Sequence, residues 1–147
     1  FLNRGFQELG LTIPTHELIE VANRLDGIPG WLTLYGYYRG VEELNHREAL
    51  DKVFEVGSKI VLKELEKIIA PSRLRYIAIL KAIIRGATRW IEIKTYTEFR
   101  TKKKIADKNF TNLLNKLVKY GILEKQNNQY KIADPLTECI VKTLTTK

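Results

Sequence analysis

Apolar residues recur every three or four positions through the first half of the chain, and this spacing predicts a series of helices. The first helix is predicted over residues 15–25 with Thr15 as its N-cap, and its apolar positions are Leu18, Ile19, Ala22 and Leu25. Pro29 begins a second helix, because the N–H that proline lacks has no partner in a first helical turn. A long third helix is predicted to begin at Asn45, which forms a capping box with Glu48, and to end near Ile69.

The second half of the chain predicts three further helices and a hairpin. The helices are expected over residues 73–85, 90–100 and 108–120. Ser72 is the predicted N-cap of the first and Gly86 ends it, and Asp107 is the predicted N-cap of the third and Gly121 ends it. The second of them is expected to turn Trp90, Ile93, Tyr96 and Phe99 to one side. Two short alternating segments, 122–125 and 129–132, flank Asn127-Asn128, a turn signal because asparagine tolerates positive φ. Three helices followed by a hairpin is the order of a winged helix-turn-helix.

These elements predict a mainly α fold with two domains. Ala70-Pro71-Ser72 interrupts the helical pattern and marks the expected boundary. The first domain, residues 1–70, is a small helical domain, and the second, residues 71–147, is a winged helix.

Charge separates the same two regions. The chain carries a formal charge of +8, but residues 1–72 hold eight basic and 11 acidic side chains, whereas residues 73–131 hold 15 basic and four acidic ones. A net of +11 on the second module is typical of a protein that binds a polyanion, and nucleic acid is the expected partner. The alternative is a lysine-rich surface of the kind found in many thermophile proteins.

Composition excludes several other classes of protein. No apolar run is long enough to cross a membrane, and a single Cys139 supports no internal disulfide, as expected of a cytoplasmic protein. His16 and His46 lie far apart with no cysteine nearby, so no zinc site is predicted. The chain begins at Phe1 and contains no methionine, and we therefore expect it to be a piece of a longer protein.

The third helix of the second module carries the candidate readout chemistry. Four polar residues share one of its faces at spacings of four, three and four: Lys108, Asn112, Asn115 and Lys119. Lysine contacts phosphate, and asparagine can pair with an adenine edge in the major groove. Further phosphate contacts are expected from the turn before this helix and from the hairpin, at Lys102, Lys103, Lys104, Lys125 and Lys131. The alternatives are a solvated helix face and a winged helix that docks protein or inhibits its own protein.

Two stretches resemble the C-terminal half of archaeal P-loop ATPases of the AAA+/STAND type. The stretch from Leu25 to Gly36, Leu-Asp-Gly-Ile-Pro-Gly-Trp-Leu-Thr-Leu-Tyr-Gly, is similar to the lid of that family. The stretch from Tyr76 to Pro135 is similar to its C-terminal winged helix. The resemblance implies a lid domain followed by a winged helix. By position, Gly27, Ile28 and Pro29 correspond to the Gly-x-Pro of the lid, which packs on bound nucleotide and senses its state. The alternative, from the residues alone, is an ordinary turn between two helices.

The chain also departs from this family. It contains no Gly-x-x-x-x-Gly-Lys-Ser/Thr phosphate loop and no apolar strand that ends in an acidic pair for magnesium. We therefore expect ATP or ADP with Mg²⁺ to be a cofactor of the whole protein, but not to bind tightly to this chain, and we expect no catalysis by the chain itself. The expected partners are an N-terminal ATPase core, DNA and, as an alternative, protein. A transcription factor with a helical dimerisation domain stays open as a further alternative.

Overall fold

A computed structural model describes residues 4–6 and 12–144 of the chain. In these residues the fold is mainly α, as predicted, with seven α-helices and one antiparallel hairpin. The helices are α1 (Thr15–Arg24), α2 (Pro29–Gly40), α3 (His46–Ile69), α4 (Arg73–Ile84), α5 (Trp90–Thr101), α6 (Asp107–Lys119) and α7 (Pro135–Thr143). The strands are β1 (Leu123–Gln126) and β2 (Gln129–Ile132), and a 3-10 turn, Ala70–Ser72, separates α3 from α4. No helix among the described residues is long and apolar enough to cross a membrane.

The chain divides into two compact units. The first consists of residues 1–60 together with 134–136, and the second of residues 61–133 together with 137–147. The division therefore falls inside α3, whereas the sequence places a boundary at residues 70 and 71.

Tyr35, fully buried on α2, is the centre of the first unit. The ring of Phe6 meets it edge-on at 6.3 Å, and its hydroxyl lies 2.7 Å from Nδ1 of His46. Burial raises the pKa of Tyr35 to about 12, so the phenol stays protonated at neutral pH. Residues 134–136 also belong to this unit, and Nε1 of Trp31 donates a 2.8 Å hydrogen bond to Asp134.

Gly57, in the middle of α3, also makes room for this segment. A Cβ at this position would collide with the side chain of Leu136 and lie 3.2 Å from the ring of Trp31. A glycine inside a helix costs about 1 kcal/mol relative to alanine, and here the close approach of two apolar side chains explains its presence.

The predicted N-cap is found at the start of α3, but the starts of α1, α4 and α6 differ from the prediction. Asn45 and Glu48 form the reciprocal capping box, since each side chain accepts the backbone N–H of the other residue. Thr15 and Asp107 were predicted as N-caps, but Pro14 and Ala106 occupy those positions. Ser72 is an N-cap without a side-chain hydrogen bond. The carboxylate of Asp107 instead lies 3.5 Å from Nζ of Lys94.

Two predicted apolar faces are partly wrong. On α1 the buried residue is Val21, and Leu25, which follows the helix, is also buried, whereas Ile19 is 56% exposed. On α5 the buried residues are Ile93 and Thr97, whereas Phe99 is 78% exposed. In both helices apolar residues occur on more than one side, so spacing alone does not determine which side faces the core.

The second unit is built around α4, which is buried along most of its length. Its core contains residues of α5, α6 and both strands, among them Ile93, Phe110, Leu114 and Tyr130. Asn127 and Asn128 connect the strands with φ of 53° and 59°, the left-handed values that a two-residue hairpin turn requires. Leu123 pairs with Ile132 and Gln126 with Gln129. Arg89 forms an isolated bridge to Gln129, which adds a one-residue third strand before α5.

Candidate functional site

The outer face of α6 carries the four predicted readout residues. Lys108, Asn112, Asn115 and Lys119 are all exposed, and they lie opposite the fully buried Phe110, Leu114 and Leu117. The apolar stripe fixes the rotation of the helix about its axis, and the polar stripe consequently faces outward. We call these four residues the α6 face.

Contacts between α5 and α6 hold this helix in place. Trp90 meets Phe110 edge-on at 5.5 Å, and its Nε1 donates to Oγ1 of Thr111 at 3.1 Å. Trp90, which a protein-docking winged helix could present to a partner, is thus engaged within the second unit. Lys94 adds a second link, since its Nζ lies 3.3 Å from Glu98 and 3.5 Å from Asp107.

The turn before α6 presents three consecutive exposed lysines. Lys102 ends α5 in the left-handed conformation with φ of 56°, and Lys103 and Lys104 follow it. Glu98 accepts the backbone N–H of Ile105 at 2.6 Å, which ties the turn to α5. This hydrogen bond, assisted by Lys94, holds the pKa of Glu98 below its usual value.

The two hairpin lysines are engaged with side chains of the hairpin itself. Nζ of Lys131 lies 3.3 Å from Glu124, its cross-strand neighbour. Nζ of Lys125 lies 5.5 Å from the centre of the Tyr130 ring, the residue with which Lys125 pairs. Both side chains are exposed, so these contacts leave them open to solvent.

The four acidic residues of the basic segment 73–131 all have local partners. Glu92 accepts the N–H groups of Thr88 and Arg89, Glu98 accepts that of Ile105, Asp107 pairs with Lys94, and Glu124 pairs with Lys131. Among the described residues, Lys108 and Lys119 of the α6 face have no ion pair within 4 Å. Neither lysine is therefore held in an ion pair by a described acidic residue, although Nζ of Lys119 lies 5.8 Å from the centre of the Tyr120 ring.

The predicted lid motif forms a tight entry to α2. Gly27 ends α1 with φ of 64°, Ile28 is extended, and Pro29 is the first residue of α2. A Cβ on Gly27 would meet no atom within 4 Å, so this position requires glycine for its φ rather than for lack of space. Gly27 and Pro29 are exposed and Ile28 is half-buried.

The described residues contain no cluster of three or more His, Cys, Asp or Glu side chains that could hold a metal ion. His46 lies between Tyr35 and Glu20, with Nε2 3.1 Å from the Glu20 carboxylate.

Sequence reasoning missed a second exposed feature of the winged helix. Phe99, predicted on the side of α5 with Trp90 and Ile93, points to solvent together with Ile91, which is 58% exposed. Thr97 takes the buried position instead and is fully enclosed. No local signal in the sequence indicates that Thr97 is buried and Phe99 exposed. Threonine is seldom buried, and the apolar residues of α5 lie on several sides of the helix, so their spacing does not select the buried side.

The order α4, one-residue strand, α5, α6 and hairpin defines a winged helix-turn-helix. Residues 71–133 match the family model of the MCM protein C-terminal winged helix-turn-helix domain. The second unit thus contains a winged helix domain of this type, and the prediction is confirmed.

The chain as a whole is similar to the Walker-type ATPase of Pyrococcus abyssi. The solved structure of that protein matches 96% of this chain at 36% sequence identity and a TM-score of 0.81. The chain spans 39% of the length of that ATPase. The two comparisons confirm the resemblance seen in the sequence and are consistent with a C-terminal part of an archaeal P-loop ATPase. A comparison with curated protein sequences gives no match.

Proposed function

We propose that this chain is the lid and winged-helix part of an ATP-driven switch whose winged helix binds duplex DNA. The observation that supports this most strongly is the α6 face, where two lysines without a described acidic partner flank two exposed asparagines. The similarity to a Walker-type ATPase over almost the whole chain supports the ATPase context.

The α6 face supplies both kinds of contact that a recognition helix needs. Lys108 and Lys119 lie at its two ends, where the phosphates on either side of a major groove would pass. Asn112 and Asn115 lie between them, where an amide can pair with the edge of an adenine. The turn lysines Lys102–Lys104 precede the helix and add phosphate contacts, which position a protein on DNA without reading its sequence.

The hairpin lysines are expected to contribute less to DNA binding than the α6 face. Lys125 and Lys131 extend the positive surface, but binding of phosphate by Lys131 competes with its ion pair to Glu124. We therefore assign the hairpin to backbone contacts of lower energy than those of the α6 face.

The lid motif is proposed to sense nucleotide in the whole protein. Pro29 at the start of α2 is rigid, and Gly27 allows the backbone to approach a ligand closely. ATP or ADP with Mg²⁺ would be held mainly by the phosphate loop of an N-terminal ATPase core, the expected protein partner. The lid alone lacks the lysine and amide cradle for a triphosphate, so titration of this chain with ATP and Mg²⁺ should show no tight binding.

Titration of duplex DNA at several salt concentrations tests the proposal. Binding through phosphates predicts a linear decrease of log K with log salt. Asn112→Ala should relax sequence preference at one position, whereas Lys108→Ala should weaken binding to every sequence. Lys63→Ala removes an exposed lysine of α3 and serves as the matched control. No duplex affinity at low salt would contradict the proposal.

The second candidate function is docking of protein by the winged helix, including its own ATPase core. The exposed Ile91 and Phe99 favour it, because large apolar side chains on one surface often mark a protein contact. Retention of the ATPase core by this chain, together with no DNA affinity, would support docking in place of DNA binding.

A further inference from the structure

An apolar surface on α5 lies outside the α6 face. Phe99 is the most exposed large apolar side chain of the described residues at 78%, and Ile91 is 58% exposed. Together with Thr95, Tyr96 and Glu92, they line an open hollow of about 500 Å³. We call this the Phe99 surface.

Helix geometry places the Phe99 surface along one line of α5. Ile91, Thr95 and Phe99 follow one another at intervals of four residues, and Ile93 and Thr97 lie buried on another side. Isolated exposed apolar residues are common on proteins, but two on the same line of a helix with a hollow between them form a surface that can hold a flat apolar ligand.

Positive charge adjoins this surface in the sequence. Arg100 follows Phe99 directly, Lys102–Lys104 come within five residues, and all four are exposed. None of them has an ion pair within 4 Å with a described acidic residue, although the charge of Lys104 helps to lower the pKa of Glu98. The guanidinium of Arg85 lies 6.0 Å from the ring of Tyr96. Glu92 is engaged by the N–H groups of Thr88 and Arg89, which lower its pKa and anchor its carboxylate.

The combination favours a ligand that has both negative charge and flat apolar faces. Lysine is depleted in the cores of protein interfaces, whereas cations beside an exposed aromatic ring are typical of sites for single-stranded nucleic acid. In a duplex the faces of the bases are stacked inside, so Phe99 can reach them only in an unpaired strand.

We propose that Phe99 stacks an unpaired base of single-stranded nucleic acid and that Arg100 and Lys102–Lys104 hold the adjoining phosphates. This inference rests on the proposed function, and it adds a second nucleic-acid form at a neighbouring site that shares the turn lysines Lys102–Lys104 with the duplex site. The α6 face reads duplex DNA, and the Phe99 surface holds a strand that has left the duplex.

Parallel titrations of the 147-residue chain with an oligothymidylate and with a duplex of equal length test this inference. Phe99→Ala should weaken oligothymidylate binding roughly 5- to 150-fold, the range of one lost base–aromatic stack. Duplex affinity should change less than about twofold on the same scale. Leu74→Ala, which removes another exposed apolar side chain at 54% exposure, should change neither affinity.

Two further variants separate stacking from simple apolar contact. Phe99→Leu keeps apolar volume but removes the ring, so it should bind oligothymidylate nearly as weakly as Phe99→Ala. Phe99→Trp should restore affinity, and the fluorescence of the new indole should be quenched when a base stacks on it. Because Phe99 is exposed, thermal unfolding of all three variants should match that of the wild type.

The outcomes distinguish failure of the inference from failure of the proposed function. Unchanged oligothymidylate affinity in Phe99→Ala, with duplex binding retained, overturns the Phe99 site and leaves the α6 face standing. Full affinity in Phe99→Leu shows that apolar contact is sufficient and overturns stacking. Loss of retention of the ATPase core in Phe99→Ala, with oligothymidylate affinity unchanged, identifies the surface as a protein contact. If the wild type binds neither nucleic acid at low salt, the proposed function fails and this inference fails with it.

Discussion

The two units of the chain place their charged side chains in different ways. In the first unit Arg39 lies 3.1 Å from Glu17 and Lys52 lies 3.8 Å from Glu55, so both of these cations have an acidic partner. In the second unit the acidic residues pair locally, but Lys108 and Lys119 on the α6 face have no acidic partner among the residues described. The Arg39–Glu17 pair therefore contributes to the fold of the first unit, whereas the two lysines of the α6 face have no ion pair with a described residue to give up when they meet an anion.

Net charge alone would not have located this difference. Lys131 belongs to the same basic segment as Lys108, yet it lies beside Glu124 on the hairpin. A cation already paired with a carboxylate must give up that contact when it binds phosphate. Lys108 has no ion pair with a described residue to give up, and Lys119 gives up at most a cation–π contact with the ring of Tyr120, whose centre lies 5.8 Å from its Nζ. The ion pairs therefore rank the lysines of the candidate interface, which a count of lysines does not.

The largest expected effect comes from the buried side of α6. Phe110→Ala should lower the free energy of unfolding by about 3–5 kcal/mol, because it empties a fully buried site against Trp90. Asn112→Ala, on the opposite side of the same helix, should change it by less than about 0.5 kcal/mol. Chemical denaturation of both variants provides the measurement. Equal destabilisation by the two substitutions would show that the rotation of α6 is not as described.

Substitution of the lysines without an ion pair, Lys108 and Lys119, should affect duplex binding more than substitution of the paired Lys131. Each lysine that contacts a phosphate contributes about tenfold in affinity near 0.1 M salt, so Lys108→Ala with Lys119→Ala should weaken duplex binding about 100-fold. Lys131→Ala should cost less, since its ion pair with Glu124 already competes with phosphate. Fluorescence anisotropy with one duplex at fixed salt compares the variants. A larger loss in Lys131→Ala than in the double variant would reverse the assignment of the two lysine groups.

The internal charges of the first unit should affect stability and not binding. Arg39 and Glu17 have side chains only 13% and 15% exposed, so Arg39→Ala leaves a mostly buried carboxylate without its arginine and with Nδ1 of His46 at 3.8 Å. We expect a loss of about 1–2 kcal/mol in the free energy of unfolding and unchanged DNA affinity. Weakened DNA binding in a fully folded Arg39→Ala variant would contradict the separation of roles.

The smallest expected effect concerns pH and the turn before α6. Glu98 has a lowered pKa in the folded state because it accepts the N–H of Ile105, so its contribution to stability is present above its ordinary pKa of 4.5. That contribution disappears as the pH falls through the lowered pKa. Glu98→Gln should therefore be less stable than the wild type at pH 7, and the difference should shrink under strongly acidic conditions. Thermal unfolding across this range measures it, and a difference that stays constant with pH would contradict the role of the charge.

Much of the fold could be predicted from the sequence because its signals are local. The capping box of Asn45 and Glu48, Pro29 at the start of α2 and the Asn127-Asn128 turn each depend on neighbours within a few residues. The polar stripe of the α6 face was also predictable, since α6 has one clear apolar side. Its binding role stays a prediction.

Features that depend on distant contacts could not be predicted. The hydrogen bond from Trp31 to Asp134 joins residues 103 positions apart, and nothing near either residue indicates the other. The exposure of Phe99 follows from the packing of α5, where Thr97 occupies the core. Likewise, the ion pair of Lys131 depends on the register of the hairpin, which places Glu124 opposite it.

The salt dependence of duplex binding tests the central claim most directly. The association constant of the wild type and of the Lys108→Ala, Lys119→Ala double variant should be measured over a series of salt concentrations. The account predicts a steep negative slope of log K against log salt for the wild type and a slope shallower by about two for the double variant, one for each lost phosphate contact. Lys63→Ala should keep the slope of the wild type. Binding that does not depend on salt, or identical slopes in the wild type and the double variant, would contradict the α6 face as the site of DNA binding.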